Sequence, residues 1–554
     1  MAFPSFTFQR SLGSGVAFCA QSFGLLCGEL RLLQIEGAEI DGVKHQRREA
    51  AVADGIGENA TREREEHCGR LRKQDRRHLF FRNVADAEQA GIDQLNRESG
   101  LVGALGVHVD LQGHFMNVVS HLRVADVEVH VDLGLALPAL GVLAAEPLYL
   151  LFDLAVVGRL GALALAGLAI GALVLGLVSS QGTFLSYGTT ARSARHFGAG
   201  DRGQAVGEGV QATWLAVGLG LLIVTVVEVA AAPITTAIAG SGDIAGAALP
   251  WLRIAILGAP AILISLAGNG WMRGVQDTAR PLHYVVAGFV VCALLCPVLV
   301  YGWLGLPQLE LAGSAVANLV GQWVAAVLFC RALVAERAQW RPDPAVLRAQ
   351  AVMGRDLLAR SLAFQACFVS AAAVAARFGA AAVAAHQVVL QLWSFLALVL
   401  DSLAIAAQSL VGAALGAGDP GRAKSVAWRV TVFSTAAAAV LALIFALGSG
   451  VLPRLFTGDR AVLGAIGVPW WFMVAQLPIA GIVFALDGVL LGAGDAKFMR
   501  NATLFSALVG FLPPIWLSLV YGWGLTGIWA GLSAFMVLRL VFVGWRAFSG
   551  RWLV

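Results

Sequence analysis

FGAGDRGQAV at residues 197–206 and LGAGDPGRAK at residues 415–424 are near copies of one decapeptide, 218 positions apart. The same offset joins VVGRLGALALAG (156–167) to VAARFGAAAVAA (374–385), and RGVQD (273–277) to LGAGD (491–495). YGWLG at 301 and YGWGL at 521 follow with a small slip. An offset that persists over so much chain marks an internal duplication. Between equivalent points lie six apolar runs, each long enough to cross a bilayer. Six is even, so both copies enter the membrane from the same side. Parallel repeats of this kind are related by a two-fold axis along the membrane normal, with a substrate site between the halves.

The expected spans are 135–158, 163–191, 204–231, 247–271, 281–304, 312–334, 353–376, 381–414, 423–449, 463–491, 499–521 and 526–547. All are expected to be helices, because lipid offers backbone polar groups no other partner. The fold class is therefore an all-α polytopic membrane protein, twelve helices in two six-helix lobes. The first lobe is 134–345 and the second 346–554, with ERAQWRPDPAVLRAQ (336–350) between them as linker. If the first span starts in the cytoplasm, seventeen Lys and Arg fall in inner loops and only Arg159, Arg377, Arg454 and Arg460 in outer ones. That positive-inside bias puts the C-terminus in the cytoplasm.

Composition agrees. Of 554 residues 58% are hydrophobic and 13% charged, about half the charged share of a soluble domain. The first 133 residues differ: they hold 19 of the 35 acids and 15 of the 39 Lys plus Arg. Residues 1–133 read as a non-membrane extension, disordered or upstream of the true start. The chain has 35 Arg and 4 Lys, as a GC-rich genome would encode, and such genomes carry long spurious reading frames. Translation starting near Met116 is the expectation. No basic run interleaved with aromatics appears, which excludes a nucleic-acid partner. Seven cysteines form no CxxC pair, so Cys292 and Cys296, four apart, read as small packing residues.

Function is expected where charge enters the membrane. The stretch LAAEPLYLLFDLAVVGRLG (143–161) carries Glu146, Pro147 and Asp153 within the first span. A charge at mid-bilayer costs about 3 kcal/mol on insertion scales, so it needs a partner, a watery cavity or a proton. The two acids are seven apart and share one helix face, roughly 10 Å along the axis. Pro147 removes a backbone bond between them and is a candidate kink. In the second half, Asp401 and Asp487 are the in-span acids. The offset pairs Asp487 with Asn269, Asp401 with Thr183 and Asp153 with Ala371. The lobes thus share a scaffold but not their acids. Asp401, Asp487, Asn269, Gln387 and Gln391 are the polar candidates for a substrate cavity, while His386 reads as packing. Arg253, Arg429 and Arg539 stand out as in-span bases. The Gly-x-Gly-Asp sequences ending at Asp201, Asp419 and Asp495 echo intramembrane proteases. Here they lie between spans, where Asp caps a helix. Without HExxH or GxSxG either, an embedded enzyme is the weakest reading.

EPLYLLFDLAVVGRLG, GAGDRGQA, RGVQDTARP and AAHQVVLQLWSFLALVLDSLAIAAQSLVGAALGAGD resemble the MATE (multidrug and toxic compound extrusion) transporters, the last the DinF-like branch. The resemblance covers 134–554. It implies an exporter that exchanges inward protons or sodium for outward amphiphilic cations by alternating access. It also implies that Asp153 is the coupling acid. Two departures stand out. Leu154 occupies a position commonly threonine, and Cys296 stands where the fifth span often has an aspartate. With that acid absent, protons are favoured over sodium, and no cofactor is expected. The expected partners are small amphiphilic substrates, the coupling ion and the lipid bilayer, with no obligate protein partner. The expected location is a bacterial inner membrane. A lipid-linked precursor flippase of the same superfamily is the alternative function.

Overall fold

The computed structural model describes the backbone of residues 111–553 and side chains from Gly134 onward. The expectations for the N-terminal extension, including a start near Met116, fall on residues 1–110, outside those described, and on 111–133, where only the backbone is described. The chain divides into two units, Met1–Asn117 and Val118–Val554, and the membrane helices belong to the second. Among the described residues there is no strand.

The helices are α1 (Leu111–Val157), α2 (Ala162–Gly198), α3 (Arg202–Ala239), α4 (Gly242–Ile256), α5 (Ala259–Gly274), α6 (Ala279–Tyr301) and α7 (Glu310–Ala335). They continue as α8 (Pro344–Ala376), α9 (Ala380–Gly416), α10 (Pro420–Leu447), α11 (Arg460–Gly492), α12 (Ala496–Phe505), α13 (Leu512–Tyr521) and α14 (Gly524–Phe548). Eleven helical stretches are long and apolar enough to cross a membrane, and the bent pair α4–α5 makes a twelfth. The twelve spans expected from hydropathy are these. Large apolar side chains such as Leu221, Val229, Val440 and Leu447 point outward along them, as a lipid-facing surface requires.

The duplication is visible in the turns. Gly161 and Gly379, at the repeat offset, both hold positive φ (117° and 99°) where α2 and α9 begin. Only glycine adopts that backbone without strain. Asp201 caps α3 by accepting from Gln204 N at 2.9 Å, and Asp419 caps α10 by accepting from Arg422 N at 2.8 Å. The third Gly-x-Gly-Asp differs: Asp495 makes no cap bond and instead pairs with Arg546 at 2.6 Å.

Two departures from strict repetition have local causes. The fourth span breaks by 47° between Ile256 and Ala259, at Gly258 ahead of Pro260. Its counterpart α11 also has a proline, Pro478, but runs unbroken, with Gln476 in place of Gly258 and anchored to Ser533 Oγ at 2.7 Å. Proline alone did not break this helix; proline beside glycine did. The eleventh span carries a π-turn, Ser506–Phe511, just before Pro513 and Pro514. Two successive residues without N–H cannot complete the α-ladder there. The linker is also shorter than expected. α8 already starts at Pro344, because Asp343 caps it through Ala345 N at 2.8 Å and proline suits a first helical turn.

The lobes meet along a seam at the end of the helices where the loop arginines collect. There the pseudo-two-fold is explicit. A Cβ on Gly412 would lie 2.8 Å from Ala194 Cβ, and 412 is the repeat partner of 194. On either side, a Cβ on Gly198 would lie 1.9 Å from Ala413 O, and one on Gly416 would lie 2.0 Å from Arg195 O. These two contacts exchange under the offset (198 with 416, 195 with 413). That reciprocity defines an isologous contact about a two-fold axis. Arg195 Nη2 to Ala493 O (2.6 Å), Ser409 Oγ to Arg273 O (2.6 Å) and Gln350 Nε2 to Glu208 Oε2 (2.7 Å) cross the same seam. Arg192 holds the buried Glu208 in a bidentate pair.

Candidate functional site

Asp153 lies on α1 with its side chain 1% exposed. Ser314 Oγ, from α7, sits 2.7 and 2.9 Å from its two oxygens, and Cys296 Sγ, from α6, donates at 3.2 Å. Trp251 Nε1 in turn donates to Ser314 Oγ at 3.3 Å, fixing the hydroxyl. Tyr301 Oη donates to Val156 O at 2.7 Å and holds the end of α1 against α6. Cys296, read from sequence as packing, therefore touches the acid directly. The residue that departs from the family pattern has become the acid's thiol donor. Ala371, the repeat partner of Asp153, lies in the apolar core of the second lobe with Trp470 and Trp529. The second lobe has filled this place with hydrocarbon.

Glu146 lies on the same helix, half-buried, and accepts from Ser179 Oγ at 3.0 Å. Pro147 does not interrupt α1, which runs continuously past it. Both acids line a first cavity of about 370 Å³, together with Tyr149, Asn269, Asn318 and Arg273. Tyr149 Oη, Ser265 Oγ, Asn269 Oδ1 and Asn318 Oδ1 are buried at this wall without a hydrogen-bond partner among the described residues. Three of these four lie on helices of the first lobe other than α1, so a ligand there would be gripped from several sides. Asn269 is thus one of the residues lining this cavity. Arg273 corrects the sequence reading: it is not a loop residue but the penultimate residue of α5, 4% exposed and facing the cavity.

A second cavity, also about 370 Å³, lies in the other lobe, lined by Arg360, Asp401, Asp487 and Arg539 among aromatic side chains. Asp487 is bound there by Arg539 and, at 2.7 Å, by Arg360. Asp401 accepts from Tyr187 Oη at 2.6 Å, a bond that crosses between the lobes. Tyr187 and Leu398 line both cavities and so form their common wall. Tyr187 is eleven residues from Gly198, about 16 Å along α2, so this common wall lies above the Gly198 contact, while Arg273 brings the floor of the first cavity down to the seam. Gln387 and Gln391 are exposed and lie outside both cavity linings; they extend the α9 stripe of Ser394, Leu398 and Asp401 towards its N-terminal end. His386 is buried, edge-on to Trp529 at 5.9 Å, in the packing role expected.

Sequence reading missed Arg360 and Tyr187. Arg360 sits in a span whose charges were read as linker and loop charges. Tyr187 has an unremarkable sequence context; only the fold carries its hydroxyl to the other lobe. Among the described residues a single hydrogen bond holds the half-buried Asp401, so Tyr187→Phe should cost about 1–3 kcal/mol. The measurement is a thermal-melting double-mutant cycle: the cost should shrink when Asp401 is already leucine. Additive costs would show that the bond contributes nothing.

Repeated lobes, a two-fold seam and paired membrane cavities define a polytopic membrane protein of transporter architecture. The MatE family model matches twice, at residues 138–298 and 357–516, one match per lobe, and the chain belongs to this family. Its relatives include DETOXIFICATION 44 of Arabidopsis thaliana, a protein named as chloroplastic, 32% identical over 75% of this chain and 81% of that protein. Also among them is DNA damage-inducible protein F of Escherichia coli, 29% identical over 73% of this chain and 89% of that protein. A probable multidrug resistance protein NorM of Bradyrhizobium diazoefficiens is 28% identical over 72% and 89%. Among solved structures, a MATE crystal structure in a bent conformation superposes with a TM-score of 0.69 at 22% identity, covering 76% of this chain and 96% of that one. This likeness agrees on the fold.

Proposed function

We propose that this protein is a proton-coupled antiporter that exports amphiphilic organic cations by alternating access, with Asp153 as the coupling acid. The observation that carries the reading is the surroundings of Asp153. A hydroxyl both donates and accepts, so Ser314 serves the carboxylate by donating to it and the carboxylic acid by accepting from it. The acid gains and loses a proton without rebuilding its pocket. Sodium would need several oxygen acceptors around it, whereas Asp153 has a hydroxyl, a thiol and, among the described residues, no second carboxylate in contact. Glu146 and the unpartnered oxygens of Asn269 and Asn318 give the first cavity an acceptor-rich wall suited to a cation. Its volume lies in the range of drug-sized sites.

The excess of arginines in the loops at that end supports a cytoplasmic side for the seam. The lobes are joined there, so this conformation is the outward-facing one, with the C-terminus in the cytoplasm of a bacterial cell. A flippase would call for a wider and more basic cavity than the one beside Asp153. Proton and cation competing for one carboxylate make a direct test. Binding of tetraphenylphosphonium to the purified protein in weakly buffered detergent should release protons, and its affinity should fall as pH is lowered. Affinity independent of pH, with no proton release, would contradict the competition.

A further inference from the structure

The second cavity is unlike the first in its charge pairing. Two guanidinium groups, Arg360 and Arg539, share one carboxylate, Asp487. Asp401, the other acid of this cavity, is engaged by Tyr187 and forms no ion pair with either arginine among the described residues. The two arginines therefore share their one direct carboxylate contact, at a site where charge is expensive to bury, while Asp401 acts on Arg360 only at a distance. Arg539 is 3% exposed, yet among the described residues its Nε has no hydrogen-bond partner, and neither has Arg360 Nε. Guanidinium presents five donors in a planar fork that matches a carboxylate, so these are donors that a carboxylate would satisfy. The neighbouring wall is aromatic. Phe364 lies 5.7 Å from the Arg360 guanidinium and 5.2 Å from that of Arg539, with Phe368 and Trp393 also lining the cavity.

We propose that the second-lobe cavity binds the carboxylate of an amphiphilic organic acid, seated on Arg360 and Arg539 with its apolar body against Phe364, Phe368 and Trp393. Asp487 occupies part of the same donor set and acts as an internal stand-in for the ligand's carboxylate. This site is separate from the cation cavity beside Asp153, so it stands whether or not the proton-coupled reading holds.

Three probes sharing one ring system test it on the purified full-length protein by calorimetry: 2-naphthoate, 2-naphthamide and 2-naphthylmethylammonium. Charge-assisted hydrogen bonds favour naphthoate over the neutral amide by about tenfold or more. Arg360→Gln leaves Asp487 paired with Arg539 and should erase that preference. Asp487→Asn frees both arginines and should tighten naphthoate. Binding of the ammonium probe should be unchanged in both variants, which shows that they are folded. The proposal is overturned if naphthoate and naphthamide bind the wild type alike, or if the preference survives Arg360→Gln. It is also overturned if Asp487→Asn leaves naphthoate unchanged or weaker, an outcome readable even where Arg360→Gln does not fold. Failure of the ammonium probe alone to bind would count against the cation reading and leave this site standing.

Discussion

Asp153→Asn should reduce pH-gradient-driven transport to the level of protein-free liposomes while leaving a folded protein. The side chain is almost isosteric, and Ser314 still has an acceptor at Oδ1. What is lost is the ability to gain and lose a proton. An amide Nδ2–H replaces one carboxylate oxygen and still finds the Ser314 oxygen as acceptor, so the pocket retains its hydrogen bonds. Substrate should still exchange down its own gradient, because the cavity wall of Asn269, Asn318 and Glu146 is untouched. The readout is flux with and without a pH gradient, alongside thermal melting to show an unaltered fold. The Glu146→Gln variant is the control: Glu146 is half-buried and bonded only to Ser179 among the described residues, so its loss should weaken coupled flux less than loss of Asp153.

The second large effect is expected at the seam. Gly198→Ala places a Cβ 1.9 Å from Ala413 O, and Gly416→Ala places one 2.0 Å from Arg195 O. The obstacle in each case is backbone, which cannot rotate aside as a side chain can. Neither glycine has positive φ, and alanine is the better helix former. The helix itself is therefore not harmed, and the penalty falls on lobe closure alone. Overpacking of this kind costs about 1–3 kcal/mol, which moves a two-state equilibrium roughly 5- to 150-fold. Spin labels at positions 203 and 421, exposed equivalents beyond the two helices, report the separation by double electron–electron resonance in a cysteine-replaced background. The distance distribution should shift to longer values in either single variant and further in the double. An unshifted distribution would mean that the seam is looser than its contacts imply.

Much of this architecture was legible in the sequence because membrane folds are written in coarse variables. Helix count follows from runs of apolar residues, and the two-fold follows from the 218-residue offset, which reappears as the exchange of Gly198–Ala413 with Gly416–Arg195. The caps at Asp201 and Asp419 were legible because capping is local. Asp153 was legible because carboxylates in apolar helices are rare. The partners of these groups were not. Cys296 and Ser314 are 143 and 161 positions from Asp153 and look like ordinary small residues in apolar helices. Tyr187 reaches Asp401 across 214 positions. Arg273 was hidden for another reason: near a helix end, a cavity arginine and a topology-setting arginine look the same in sequence. The break in the fourth span needed the pairing of Gly258 with Pro260, since the same proline in α11 left that helix intact.

The most direct test is transport by the purified protein in proteoliposomes loaded with a lipophilic cation, under imposed ion gradients of either sign. A proton gradient alone should drive the cation against its own gradient, with reversal of the pH gradient reversing the direction. A sodium gradient at constant pH should drive nothing. Cation movement driven by sodium at constant pH, or indifferent to the pH gradient, would contradict Asp153 as a proton-coupling acid.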